Sequence, residues 1–191
     1  MKKTIFLLLC TLVGWSARGQ YGLSQHQIDS LTQLLAKTTI DTVKYDLHMY
    51  IGIGYQYINP DRAVHELNES LKIARKIDHK DRIMGALLTL GFTYSHIGEP
   101  VKSIEMHQEV LQYMRETKGD TTMALAFIGE NYEAQGDLVN ALDYSRRSFS
   151  GYEKAIQNGV PLDERGYPAG PMRLGQIFHK MGQLDSAMHY A

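Results

Sequence analysis

The chain has 191 residues, 43% of them apolar, with 20 Lys+Arg against 21 Asp+Glu, a formal net charge of −1. That is enough chain for one sizeable domain, and only 5 prolines interrupt it. A near-neutral balance without a basic stripe argues against a nucleic-acid partner, and a single cysteine, Cys10, excludes an intramolecular disulfide framework.

Residues 1–19 read as a signal peptide. Lys2-Lys3 form a positive start, Ile5 to Val13 an apolar run too short to span a bilayer, and Ala17-Arg18-Gly19 a small-x-small cleavage site. An uncleaved membrane anchor and a lipidated Cys10 are the alternatives. The bulky Leu9 and the continuing apolar run argue against lipidation. Cleavage after Gly19 removes three cations, leaving 20 − 3 = 17 Lys+Arg against 21 Asp+Glu, a net of −4. No membrane contact is expected of the region that remains.

Residues 20–40 form a leading helix and linker. Ile28, Leu31, Leu34 and Leu35 follow a helical period, with Ser24 or Ser30 available as a cap. Asp41-Thr42 can cap the next helix, in which Leu47, Tyr50, Ile51 and Tyr55 recur at helical spacing. Asn59 reads as an N-cap and Pro60 as the first helical position of the helix carrying Leu67, Leu71 and Ala74, which ends at a turn over Asp78-His79-Lys80.

A pattern then recurs. Leu90-Gly91-x-x-Tyr94-x-x-x-Gly98-Glu99-Pro100-x-x-Ser103 is matched by Ile128-Gly129-x-x-Tyr132-x-x-x-Gly136-Asp137-Leu138-x-x-Ala141. Leu174-Gly175-x-x-Phe178-x-x-x-Gly182-Gln183-Leu184-x-x-Ala187 follows, and Ile51-Gly52-x-x-Tyr55 is an earlier copy. Glycine inside a helix costs about 1 kcal/mol against alanine, so its repetition marks helix contacts too close for a Cβ. Ala63, Ser103, Ala141 and Ala187, eleven or twelve residues on, are the small residues expected opposite it. Gly98, Gly136 and Gly182 are expected to end the first helix of each pair in the left-handed conformation.

This pattern resembles the tetratricopeptide repeat, which implies an all-α fold, a right-handed superhelical solenoid of antiparallel helix pairs. The repeats fall at approximately 42–79, 81–118, 121–157 and 171–191, so the solenoid occupies 41–191. Gly52 to Gly91 is 39 residues and Gly91 to Gly129 is 38, about one helical turn more than the usual 34. Gly129 to Gly175 is 46, the surplus coinciding with a Pro/Gly-rich stretch from Asn158 to Pro171 that is not expected to continue a helix. That stretch is either a tolerated surface insertion or a projecting binding element. The fourth copy ends at Ala191, short of a full returning helix and a polar capping helix, which reads as the front of a longer protein.

No catalytic pattern is found. None of the eight histidines pairs at i, i+4, and there is no His-Glu-x-x-His to hold zinc. Gly52-Ile53-Gly54 lacks the third glycine of a dinucleotide fingerprint, and neither a phosphate-binding loop nor a Gly-x-Ser-x-Gly elbow occurs. Asn68-Glu69-Ser70 matches a glycosylation acceptor but lies in a helix. No enzyme activity and no cofactor or metal site are expected.

The resemblance places the first helix of each pair on a concave groove. By register this groove takes Met49, Ile53, Gln56 and Tyr57, then Leu88, Phe92, Ser95 and His96, then Glu130 and Glu133, then Gln176, His179 and Lys180. One end is apolar and aromatic, the other charged, which suits a protein or peptide ligand whose side chains bury in the apolar part while the groove's acidic end sets its orientation. The carboxylate-clamping members of the family place Lys, Arg and Asn where this chain has Met49, Ile53 and Phe92, so that ligand is rejected. The same residues could instead contact only neighbouring helices.

The resemblance extends to exported bacterial repeat proteins that continue into a membrane helix and a histidine kinase or DNA-binding output domain. The function expected is a non-catalytic binding scaffold in the periplasm, the sensory or assembly input of such a protein. The alternative is a free-standing secreted scaffold, or the front of an enzyme whose catalytic domain lies beyond residue 191.

Overall fold

A computed structural model of the chain describes residues 23–117, 119–159 and 169–190. The signal-peptide reading of 1–19 and most of the 158–171 stretch lie outside the described residues. The chain divides into two compact units, Met1–Thr89 and Leu90–Ala191, and the division falls within one continuous helix.

The first unit holds α1 (Gln25–Lys37), α2 (Asp41–Tyr55), α3 (Pro60–Lys76) and the opening of α4 (Lys80–His96). Ser24, not Ser30, caps α1: its Oγ accepts the Gln27 backbone N–H at 3.3 Å, and the Gln27 side chain accepts the Ser24 N–H at 2.8 Å. The expectation that Asp41-Thr42 caps α2 is corrected. The cap position is Ile40, without a side-chain hydrogen bond, and Asp41 already lies in the helix. There its carboxylate meets the positive end of the helix dipole and pairs with Lys76 Nζ of α3 at 2.9 Å. Asn59 caps α3 as expected, its Oδ1 accepting the Arg62 N–H at 3.1 Å, and Pro60 takes the first turn, where a missing N–H costs nothing.

The apolar stripes of these helices converge on a core of Ile28, Leu31, Leu47, Ile51, Tyr55 and Ala63, all buried. Burying each such Leu or Ile contributes about 1.5 to 3 kcal/mol over leaving it in water. Tyr45 ties α2 to α4: its hydroxyl donates to the Arg82 carbonyl at 2.9 Å and the Arg82 guanidinium lies 4.5 Å from its ring centroid, while the same guanidinium pairs with Asp46.

The second unit holds the rest of α4, then α5 (Pro100–Thr117), α6 (Thr122–Ala134), α7 (Leu138–Gln157), α8 (Ala169–Lys180) and α9 (Leu184–His189). The described residues include no strand. Gly98 ends α4 at φ 78°, a left-handed conformation that lets the Glu99 N–H reach back to the Tyr94 carbonyl at 2.9 Å. The same turn recurs at Gly136 and Gly182, where the Asp137 and Gln183 N–H groups bond the carbonyls of Tyr132 and Phe178. Asp137 then caps α7 by accepting the Asn140 N–H at 3.1 Å. Helix α8 begins at Ala169 and carries Pro171 in its first turn, so the last residues of the Asn158–Pro171 stretch are helical after all.

What opposes the repeated glycines differs from the sequence expectation. A Cβ on Gly52 would lie 2.7 Å from Leu67 Cγ and 3.3 Å from the Ala63 carbonyl oxygen. On Gly91 it would overlap the ring of His107 rather than meet Ser103. The helices therefore approach at the small residue's backbone, and the glycine makes room for the larger side chain one turn further along. Gly91→Leu is accordingly expected to lower stability by about 1 to 3 kcal/mol or more, and Leu88→Ala, at a half-buried site, by less. Urea midpoints measured on the two variants check the order.

Candidate functional site

In the first unit Met49, Ile53 and Tyr57 follow one another at four-residue spacing along α2 and the turn that ends it. Met49 is half-buried, its sulfur 3.2 Å from the Ser70 hydroxyl, whereas Ile53 is 41% and Tyr57 60% exposed. Ile58 beside them is 59% exposed, so the stripe opens an apolar surface to solvent. Gln56 does not belong to it. Four residues advance a helix by about 40°, which puts Gln56 beside Gly52 on the packed side, and Gln56 is 6% exposed. Leu88 on α4 is half-buried.

Elsewhere in this unit, Glu66 of α3 is nearly buried between His48 Nδ1, 2.8 Å away, and Arg62 Nε at 3.7 Å. The His48 hydrogen bond holds its carboxyl below the usual range, outweighing the cost of burial.

In the second unit Phe92, Ser95 and His96 lie on α4. The Phe92 and His96 rings stack at 6.4 Å, and Phe92 meets the edge of Phe127 of α6 at 6.1 Å. Phe127 in turn stacks on His107 of α5 at 4.9 Å. Phe92 thus divides its surface between a packed aromatic row and solvent, to which 36% of it is open.

The charged end behaves otherwise than the sequence suggests. Arg173 of α8 reaches Glu130 at 3.3 Å and Glu133 at 3.6 Å, and Lys180 reaches Glu133 at 2.8 Å. Glu130, Glu133 and Lys180 are therefore engaged in holding α8 against α6. The two carboxylates face two cations rather than presenting an acidic lip, and Gln176 and His179 remain exposed beside them. Sequence reading missed Arg173. Its only signal is register, because it stands two residues before Gly175 as Phe127 stands two before Gly129.

Among the described residues no group of three or more His, Cys, Asp or Glu could hold a metal ion, and no helix is long and apolar enough to cross a membrane.

The family described as the SusR N-terminal TPR domain matches residues 22–120, just over half of the chain. The chain belongs to that TPR family. It is 33% identical over 106 residues to outer dynein arm-docking complex subunit 4 of Danio rerio, a match that covers 54% of this chain and 21% of that protein. It thus spans about a fifth of that curated relative. Among solved structures it is similar to BtubC of P. vanneervenii at a TM-score of 0.71 and 14% identity, covering 84% of this chain and 67% of that one. It also resembles a Rap protein complexed with competence and sporulation factor, at a TM-score of 0.67 and 15% identity, covering 85% of this chain and 46% of that one. Aspartyl phosphate phosphatase F of Bacillus subtilis gives 0.72 at 16% identity, with 85% and 43% covered. At such identities the structural likeness shows the fold alone: an all-α repeat of helix pairs, a TPR-type scaffold.

One polar feature of this TPR chain lies inside rather than on its surface. His107 is fully buried, and its Nδ1 bonds the Ser103 carbonyl at 2.8 Å, so Nδ1 carries the proton and Nε2 the lone pair. Asn131 of α6 donates to Ser103 Oγ at 3.0 Å and to the Phe127 carbonyl at 2.7 Å, linking α5 to α6. Among the described residues His107 Nε2 has no hydrogen-bond partner. Burial pushes the imidazole below its ordinary value, against the opposing pull of the Ser103 carbonyl. The neutral ring is the folded form, so the unfolded chain binds the extra proton as pH falls below about 6.5. His107 should contribute a loss of up to about 1.4 kcal/mol per pH unit from there down to its folded value, and none above pH 7. Urea unfolding at pH 7.5, 6.5 and 5.5 should show a shallower acid limb in His107→Leu than in the parent chain.

Proposed function

We propose that this TPR scaffold is non-catalytic and binds a protein or peptide in the periplasm, as the sensory or assembly input of a longer signalling protein. The observation that carries the binding reading is the apolar stripe of the first unit. Ile53 and Tyr57 hold large side chains in water one turn apart, although α2 has a buried face that could have taken them. Apolar anchors at four-residue spacing suit a partner that buries its own apolar side chains against them. The Rap structure solved with competence and sporulation factor supports the same reading from the side of the fold. Export rests on the pattern of residues 1–19: paired lysines, a short apolar run and Ala17-x-Gly19.

The binding reading is tested by contrast on one helix. Ile53→Asp is expected to abolish binding to a panel of immobilised apolar peptides while shifting Tm by only a few degrees, because a 41% exposed side chain contributes little to the fold. Ile51→Asp, at a site with no exposure, should unfold the first unit, since the charge would be buried without a partner. Equal melting of the two variants would assign Ile53 to the core. For export, the chain recovered from the periplasm of an expressing bacterium is expected to begin at Gln20 by intact mass. Retention of Lys2-Lys3 would contradict it.

A further inference from the structure

His107 occupies a seat that the chain builds three times. Leu67, His107 and Ser145 each stand four residues after the small residue of their pair, Ala63, Ser103 and Ala141, and each lies where a Cβ on the facing glycine, Gly52, Gly91 or Gly129, would collide with it. In the first pair the seat takes a fully buried leucine. Packing alone therefore does not call for an imidazole in the second. What the imidazole adds is a titratable group at no exposure, its Nδ1–H on the Ser103 carbonyl and its Nε2 unpartnered among the described residues.

The ring lies between Gly91 of α4 and Phe127 of α6, which stacks on it at 4.9 Å, and Asn131 of α6 bonds Ser103 Oγ beside it. None of these groups is charged. The titratable groups of the same three helices are engaged or exposed elsewhere: Tyr94 of α4 lies under Lys102 of α5, Glu130 and Glu133 of α6 pair with Arg173, and Glu105 of α5 is exposed. His96 of α4 stacks on Phe92, one ring further along the row. Burial and the Ser103 carbonyl are the influences on the ionisation of His107, with no charged side chain among them.

A proton on Nε2 would create a charge in apolar surroundings and a buried donor without an acceptor. The face of Phe127 attracts an imidazolium, but it leaves the Nε2–H unsatisfied. Relief requires water, so one side of the ring must part. The Gly91 side belongs to a helix pair tied by the turn at Gly98, whereas the Phe127 side is a junction between pairs, and in a stacked repeat one junction can open without dissolving its neighbours. We propose that His107 is an acid-operated latch: protonation at Nε2 parts α6 from α5, and Phe92 loses the edge of Phe127 and shows its ring to solvent while the helix pairs stay folded. Apolar surface covered at neutral pH is thereby displayed in acid. The inference concerns α4, α5 and α6 and does not depend on the function proposed for the Ile53–Tyr57 stripe.

The test uses the full chain labelled with 4-fluorophenylalanine. Beyond residue 19 the phenylalanines are Phe92, Phe127, Phe149 and Phe178, which places two reporters in the latch and two in α7 and α8. Fluorine NMR from pH 7.5 down to 5, with the shift between light and heavy water as the measure of exposure, is expected to show Phe92 and Phe127 becoming exposed together. Their common midpoint should lie below about 6.5, the ordinary imidazole value, while Phe149, Phe178 and the helical circular dichroism stay unchanged. His107→Leu, which installs the residue the first pair already uses, is expected to abolish the movement, and His96→Gln to keep it. Four phenylalanines moving together would mean general unfolding and overturn the proposal. So would Phe92 and Phe127 that stay fixed in the parent chain, or a movement lost in His96→Gln and kept in His107→Leu.

Discussion

The pairs α2–α3, α4–α5 and α6–α7 each rest on an approach of helices that a Cβ on the repeated glycine would prevent. Gly52 seats the Leu67 side chain, and Gly91 the His107 imidazole. At Gly129 a Cβ would lie 2.8 Å from Ser145 Oγ and 3.3 Å from the Ala141 carbonyl oxygen. Filling any of these seats forces apart two helices whose apolar stripes are matched along several turns, and in a thin repeat there is no deeper core to absorb the shift. The rest of the architecture follows from that contact. The left-handed turn at Gly98, Gly136 and Gly182 fixes where the returning helix starts, and the turn plus the seat fix its register.

Junctions between pairs use a different chemistry from the seats within them, and in the second unit each junction has its own. Helix α6 meets α4 and α5 through an aromatic row and a buried amide, with Phe92, Phe127, His107, Ser103 and Asn131 in sequence. Helix α8 meets α6 through paired charges, with the Glu133 carboxylate only 11% exposed. Exposed ion pairs contribute about 0 to 1 kcal/mol each, but a carboxylate this enclosed costs more to leave unpartnered than its pairing gains. The aromatic junction thus depends on a neutral histidine, whereas the charged junction depends on keeping the enclosed Glu133 carboxylate partnered.

Local chemistry was legible in the sequence, and contacts across the repeat were not. The Asn59-Pro60 helix start, the left-handed glycines and the turn at Asp78 are set by two to five neighbouring residues, so their residue types suffice to find them. Ile53 and Tyr57 were placed by the family's register, and both are exposed. Gln56 was misplaced because a groove assigned by family register ignores the 40° that separates it from the buried Gly52. The partners of Gly91 and Glu133 escaped because they lie 16 and 40 or more residues away, at positions where the repeat pattern leaves the residue free: His107 in one copy, Arg173 in another. Asp41 was read as a cap for the same reason, since its partner Lys76 is at the far end of the following helix.

That freedom at the position two before each glycine has a consequence for how such a chain can change over time. Phe127 fits there because His107 offers a flat ring, and Arg173 fits because Glu130 and Glu133 offer charge. Exchanging α6 and α8 would press a guanidinium onto a neutral buried imidazole and set a benzene ring between two carboxylates. The copies share a fold but not their edges, so each is addressed to one neighbour. Duplication or shuffling of a single copy would yield a chain with mismatched edges, and the order of the helix pairs is itself part of what the sequence encodes.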